Sequence, residues 1–291
     1  MASRNWLGAP GRIFCFGSFP AGLYLPTADM DLVYASDQLF NGGAQVVDTS
    51  QKGSLKRVLF NASRRLEDVG LPNAAPDVIW AAKVPIIKFT DRITNIDVDI
   101  SFENLSGVQA QATFDQWKRD QPDMMFLVSL VKQFLAMRGL NEVHQGGIGG
   151  FTIICLIMTY IYLHPKSDNL GQCFVGFLKY YGKEFNLATE RIQMHPPAVL
   201  QKTGVDVDGR PDKRDGLSIQ DPNRPENNIS GGSHNVRAIF KAFAQAHDTL
   251  TDRMRATEMN ENIGGSMLGC ILGGNYTKYI DHRRRLRSLM P

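Results

Sequence analysis

No apolar run in this sequence is long enough to cross a bilayer; the longest, residues 151–163, has the length of a buried helix. The opening M-A-S-R-N-W-L-G-A-P-G-R holds no apolar core of signal-peptide length. Cysteine is scarce. The four residues Cys15, Cys155, Cys173 and Cys270 lie far apart, with no C-x-x-C and no histidine at ligand spacing. That argues against a structural zinc and reads as reduced core thiols of an intracellular protein. Excess charge is small, at +3, so any nucleic-acid footprint has to be local. Internal repeats and low-complexity tracts are absent, which sets aside solenoids and disordered linkers. What remains is ordinary globular composition, 43% hydrophobic and 21% charged over 291 residues, enough for two domains with cores of their own.

The stretch G-S-F-P-A-G-L-Y-L-P-T-A-D-M-D, Gly17 to Asp31, organises the rest. An apolar run from Ile13 to Phe16 leads into Gly17 and Ser18, and ten residues later Asp29 and Asp31 straddle Met30 at the head of Leu32, Val33 and Tyr34. The pattern predicts a strand, a tight turn and a second strand. On that second strand Asp29 and Asp31 share a face, while Met30 and Leu32 face the core. Two adjacent carboxylates need a positive occupant, and a divalent ion preferring hard oxygen, Mg²⁺ or Mn²⁺, suits them. Gly17 permits close backbone approach, and the Ser18 hydroxyl and nearby N–H groups can donate to phosphate oxygens. Metal carboxylates beside phosphate donors point to nucleotidyl transfer.

A third carboxylate is then required. Ile96 to Phe102, I-D-V-D-I-S-F, alternates cleanly, with Asp97, Asp99 and Ser101 on the polar face. Alternation alone leaves Asp97 and Asp99 equivalent. Helical spacing is expected from Leu55 to Val69, and short strands at 77–81 and 84–89. From about residue 108 the period is helical: 108–117, 124–137, 151–163 and 171–185, broken by Pro122, the glycine-rich run at 146–150 and Pro165. Residues 186–216 read as a loop and 217–220 as a short strand. Ser233 is expected to cap a helix through Val236, Ile239, Phe240, Phe243 and Ala246. The fold class is α+β, a mixed sheet with flanking helices in 1–108, a mostly helical domain in 109–280, and a basic tail in 281–291.

The order G-S, D-x-D, later strand carboxylate resembles the polymerase-β-like nucleotidyltransferases. V-P-I-I-K-F-T-D-R-I-T-N-I-D-V-D-I-S-F-E-N at 84–104 is similar, within them, to the noncanonical nuclear poly(A) polymerases. So are L-V-K-Q-F-L near 130–135, N-E-V-H-Q-G-G-I-G-G-F at 141–151 and S-I-Q-D-P-N-R-P-E-N-N-I-S-G-G-S at 218–233, the last resembling the nucleotide recognition motif of catalytic subunits of TRAMP-type surveillance complexes. The resemblance spans about 13–280. It implies adenylyl transfer from ATP to an RNA 3′ end with two divalent ions, Asp29, Asp31 and Asp99 being both catalytic and metal ligands. It matches Gly17 and Ser18 to the phosphate-binding turn, Gly107 and Lys132 to nucleotide contacts, and Lys132 to the triphosphate. Gly150 and Phe151 match a pair whose aromatic stacks on the base. Asn227 matches the base-reading position, supported by Asn228 and Asp221. It also implies nuclear placement, no membrane, and two partners, a zinc-knuckle RNA-binding protein and an RNA helicase.

Outside those motifs Lys132 would be a solvated lysine, Phe151 a core residue, and Asn227 and Asn228 a turn. His144 and His234 receive no role, and the run H-R-R-R-L-R at 282–287 suits RNA phosphates, nuclear import or a solvated helix end equally. Two departures from the family stand out. Gly231 replaces the arginine usual after N-N-I-S, removing donors and charge. About twelve residues precede the first strand where the family carries a helix, the expectation being a truncated N-terminus. Rival readings are a terminal uridylyltransferase, disfavoured by Asn-Asn where those enzymes commonly have histidine, and a catalytically impaired scaffold.

Overall fold

The computed structural model of the protein describes residues 8–47, 51–82, 84–164, 169–259 and 264–289. The chain divides into two compact units, Met1–Asp115 with Tyr276–Pro291, and Gln116–Asn275. It is α+β, as its sequence pattern predicts.

In the first unit β1 (Gly11–Phe16), β2 (Met30–Ser36), β3 (Asp77–Ile79), β4 (Ile86–Thr90) and β5 (Asp97–Phe102) form one sheet in the order β1-β2-β5-β4-β3. Only β2 and β5 pair in parallel. The alternation of β5 sends Val98, Ile100 and Phe102 into the core. A one-turn helix, α1 (Asp37–Phe40), follows β2, and α2 (Lys52–Asp68) lays Leu55, Leu59, Ala62 and Leu66 on the same core. That i, i+4, i+7, i+11 spacing is the apolar stripe of an amphipathic helix.

Glu103, the residue after β5, adopts a left-handed conformation, φ 52°. Its buried carboxylate accepts from the Ser36 N–H at 2.6 Å, the Ser36 hydroxyl at 3.0 Å and the Val46 N–H at 2.7 Å. A buried acid with three donors ties the loop after β2 to the end of its neighbour strand.

The boundary between the units falls within α3 (Ser106–Asp120). In the second unit come α4 (Met124–Ala136), α5 (Gly150–Leu163) and α6 (Leu170–Lys179). Every residue of α5 from Thr152 to Tyr160 is buried, as a helix apolar on all sides requires. The expected helix 171–185 is α6 followed by a π-helical turn, Tyr180–Glu184, which carries Tyr181 into an aromatic core. Its ring centroid lies 5.0 Å from that of Phe177, and its hydroxyl donates to the Leu156 carbonyl at 2.8 Å. Pro165 lies outside the described residues.

Residues 186–216 are not all loop, since β6 (Glu190–Met194) and β7 (Pro197–Gln201) form an antiparallel hairpin there. Charged residues and a proline at the first position of β7 conceal the alternation that buries Ile192 and Met194. The expected strand 217–220 makes isolated bridges only, Ile219 to Ile192 and Gln220 to Asn228. Then come α7 (Val236–Glu258) and α8 (Gly269–Leu272). Ser233 does not cap α7: the N-cap is Asn235, and Ser233 instead donates its N–H to the Ser230 carbonyl at 2.9 Å. The final helix, α9 (Thr277–Ser288), belongs with the first unit and takes in the stretch expected as a tail. None of the four cysteines is in a disulfide, but only Cys155 is a core thiol; Cys15 and Cys270 are exposed. No helix among the described residues is long and apolar enough to cross a membrane.

Candidate active site

In the first unit, Asp31 on β2 pairs with Asp99 on β5, and Asp99 pairs with Lys88 on β4. Register partners on adjacent strands share a face, so the three side chains stand in one row across the sheet. Asp29 sits immediately before β2. The Lys88 ammonium lies 2.6 Å from Asp29 Oδ2 and 3.3 Å from Asp99 Oδ1. Asp97, which alternation leaves equivalent to Asp99, pairs instead with Thr90 and accepts its hydroxyl at 2.5 Å.

Burial is the largest influence on Asp99 and raises its pKa; the Lys88 charge opposes that rise and the Asp29 charge adds to it. Burial would lower the pKa of Lys88, but its hydrogen bond to Asp29 and the charges of Asp99 and Asp29 outweigh burial and pull it up. Lys88 is therefore an ammonium at any physiological pH. Sequence reasoning passed over it. The signal available was a lone lysine inside the apolar alternation I-I-K-F.

Among the described residues no three His, Cys, Asp or Glu side chains are gathered closely enough to hold a metal as they stand. The donor set nevertheless fits a hard divalent ion. Asp99 Oδ1 is buried with no geometric hydrogen-bond partner, the nearby cation being the Lys88 ammonium at 3.3 Å. A hard divalent ion would give this oxygen the bond that the ammonium does not.

Gly17 adopts φ +75°, and a β-carbon there would sit 2.6 Å from Asp31 Oδ2. Only glycine allows both the left-handed turn and that approach. Ser18 follows in the same turn, its carbonyl accepting from the Leu23 N–H at 2.9 Å. A β-carbon on Gly107 would lie 2.2 Å from Cδ2 of Phe16, so ring packing alone demands a glycine there.

In the second unit, Lys132 on α4 is buried, 8% exposed, and is no solvated lysine. Its Cε and Nζ lie 3.2 Å from where a β-carbon on Gly150 would be, so the side chain passes the first residue of α5. Phe151, next in α5, is half-buried.

Asp221, 4% exposed, organises the loop at 218–233. Its carboxylate accepts from the Asn223 N–H at 2.9 Å and the Asn227 Nδ2 at 3.0 Å, with Arg224 Nε at 3.4 Å. Asn228 is committed at both ends of its amide: Oδ1 accepts from the Ser230 N–H at 2.9 Å and hydroxyl at 2.7 Å, and Nδ2 donates to Asp206 Oδ2 at 2.7 Å. Asp206 also accepts the Ser218 hydroxyl at 2.5 Å and the Val207 N–H at 2.7 Å. It lies in the segment read as loop, and nothing in its local pattern marks it.

Residues 3–119 match the family model "Poly(A) RNA polymerase, mitochondrial-like, central palm domain", and 169–227 match "Cid1 family poly A polymerase". Poly(A) RNA polymerase protein 2 of Saccharomyces cerevisiae is 36% identical over 272 residues, covering 88% of this chain and 44% of its own length. This chain thus spans less than half the length of that curated relative. A solved structure of the polymerase core of TRAMP, an RNA surveillance complex, is 34% identical with a TM-score of 0.76, over 91% of this chain and 82% of that one. Terminal uridylyl transferase 4 from Trypanosoma brucei shares the fold at 18% identity, TM-score 0.67, over 82% of this chain and 85% of that one. With the TRAMP polymerase core matched over most of its length at that identity, the chain belongs to the noncanonical poly(A) RNA polymerases of the polymerase-β-like nucleotidyltransferase superfamily.

Proposed function

We propose that this chain is the catalytic part of a template-independent RNA 3′-end adenylyltransferase that uses ATP. The observation that carries the reading is the row Asp31, Asp99, Lys88 beside the Gly17 turn, with Asp29 at its edge. In the reaction the RNA 3′-hydroxyl oxygen bonds to the α-phosphorus of ATP and the bond to the β-phosphate bridge breaks. Pyrophosphate leaves with the electron pair, and the hydroxyl proton passes to the Asp99 carboxylate. Asp29, Asp31 and Asp99 would hold Mg²⁺ or Mn²⁺ in a two-metal site, and bound ions would supply charge neutralisation at the attacking and leaving oxygens. The Ser18 hydroxyl and the backbone N–H groups of its turn would donate to the triphosphate, and Lys132 would offset its charge. Gly107 makes room for the Phe16 ring and Gly150 for the Lys132 side chain, so their own nucleotide contacts would be through backbone groups, and the Phe151 ring would stack on the base.

Asn227 can read adenine. With one Nδ2 hydrogen given to Asp221, it keeps its amide oxygen and a second N–H, and the oxygen suits the adenine amino group. One such bond with stacking corresponds to roughly tenfold to a hundredfold discrimination. Tagging of nuclear RNAs for processing or exosomal decay, together with a zinc-knuckle RNA-binding protein and an RNA helicase, completes the reading. A second reading is a catalytically impaired scaffold, favoured by Gly231 and by the Lys88 ammonium standing between Asp29 and Asp99.

The test is extension of a labelled oligoadenylate by the purified chain with Mg²⁺ and each NTP separately, with and without a zinc-knuckle partner, beside an Asp29→Ala, Asp31→Ala control. ATP-preferring extension abolished in the control is the expected result. Folded protein inactive with every NTP and partner would leave the scaffold standing.

A further inference from the structure

We propose that α9 and the pocket it borders seat the single-stranded RNA just upstream of its reacting 3′ end. On the adenylyltransferase reading, which this proposal presupposes, the strand must approach the row of carboxylates along some surface of the first unit, and α9 supplies one.

The helix is fixed in place rather than trailing. Tyr279, His282 and Leu286, spaced i, i+3, i+7, are half-buried, while the charged residues around them are exposed. His282 Nε2 donates to the Thr94 carbonyl at 2.9 Å, and Arg285 Nη2 to the Ile93 carbonyl at 3.4 Å. The turn receiving them is itself pinned, with Asp91 Oδ2 accepting the Thr94 N–H at 2.7 Å and hydroxyl at 2.6 Å. That turn leads directly into β5.

Between helix and turn opens a pocket of about 300 Å³, lined among others by Thr27, Ala28, Asn95, Asp97, Lys278 and Tyr279. Ala28 precedes Asp29, and Asp97 lies two residues before Asp99 on the same face of β5. The pocket therefore borders the carboxylates. Its chemistry is that of a ribonucleotide unit: Lys278 for a phosphate, Asn95 and Asp97 for ribose hydroxyls, and the Tyr279 ring for a base face. Beyond it α9 continues the charge. Arg285 follows Lys278 on one flank of the buried stripe, Arg283 and Arg287 fall one turn apart on the other, and the helix sets five cations against the single Asp281 in a chain of net charge +3. This is the local footprint that the overall charge leaves undetermined. A simply solvated helix end needs neither the tethers nor the pocket.

The test uses the full chain with Lys278→Ala, Arg283→Ala and Arg287→Ala combined, all exposed positions whose loss leaves the melting temperature within about 1 °C. Binding of a labelled oligoadenylate is followed by anisotropy over a salt series. The expected result is affinity about tenfold weaker at moderate salt, and a log K against log salt slope shallower by about 2, at roughly 0.7 for each phosphate no longer neutralised. In extension assays KM for RNA rises while kcat and KM for ATP hold. Unchanged affinity and slope would overturn the proposal, as would a wild-type chain with no RNA affinity. Unchanged RNA binding with lost nuclear accumulation would overturn it too and assign the run to import. If RNA binding is lost in the variant but neither protein extends RNA, the seat stands and the adenylyltransferase reading fails.

Discussion

The Asp31 carboxylate fills the space that a β-carbon on Gly17 would need, its Oδ2 lying 2.6 Å from that position. Phe16 and Asp31 are register partners across β1 and β2, so the Gly17 turn and the Asp31 carboxylate are built against each other and neither can shift alone. Gly17→Ala is expected to suffer twice, by about 1–2 kcal/mol for the left-handed conformation and by displacement of Asp31. Its extension rate should fall at least a hundredfold, more than the melting temperature would suggest. A variant within tenfold of wild type would separate the turn from the carboxylate.

Lys88 predicts a reciprocal effect of metal. Its ammonium holds the carboxylates together at neutral pH, and because its pKa is raised that contribution is lost only as pH climbs above its ordinary 10.5. Lys88→Met in EDTA should melt several degrees below wild type, and Mg²⁺ should restore more stability to it than to wild type. Scanning fluorimetry across a Mg²⁺ titration checks this, with Lys88→Arg as the charge-preserving control.

Asp99→Asn should be inactive yet more stable without metal. A carboxyl whose folded pKa is raised destabilises the folded state once ionised, so the cost is present at pH 7 and fades as pH falls toward its ordinary value of 3.8. The amide removes that cost, and a rise of about 1–3 °C at pH 7 is expected. The gain should shrink in melts at pH 4. An unchanged or lower melting temperature at pH 7 would mean that the Lys88 interaction outweighs burial.

Asp206→Ala should behave as a recognition-loop variant. Removing the acceptor for Asn228 and Ser218 loosens the segment carrying Asn227, so KM for ATP should rise about tenfold with kcat little changed. Equal losses in both would place Asp206 in the reacting geometry instead.

Gly231→Arg should be accommodated, since the nearest atom to a β-carbon there is the Asn228 carbonyl oxygen at 3.6 Å. Restoring a guanidinium is expected to lower KM for ATP severalfold, which steady-state kinetics would register. A rise in KM would mean that this chain's loop is arranged around the glycine.

The sheet and its carboxylates were legible because period-2 alternation is a strong local signal: I-D-V-D-I-S-F declares both its buried face and its polar one. Asp99 could not be separated from Asp97 by that signal, since strand register decides between them and register is a property of the pairing. Lys88 was missed for the same reason, its meaning arising only when β4 lies beside β5. Asp206 and the β6–β7 hairpin were hidden because their order comes from interactions with residues 218–230, which no local pattern reports. Burial of Lys132 was invisible too, because an amphipathic pattern assigns long cations to water.

The first unit is assembled from two stretches separated by the whole of Gln116–Asn275. At roughly 5–20 residues per second, about nine to thirty-five seconds pass on the ribosome between synthesis of the end of β5 and the start of α9. Through that interval the bonds from His282 and Arg285 to the Thr94 and Ile93 carbonyls are not yet made, and the pocket beside Asp97 lacks its α9 wall. Synthesis thus delivers the carboxylates of the sheet first and α9 only after the whole of Gln116–Asn275, so the first unit cannot close until the second has been made.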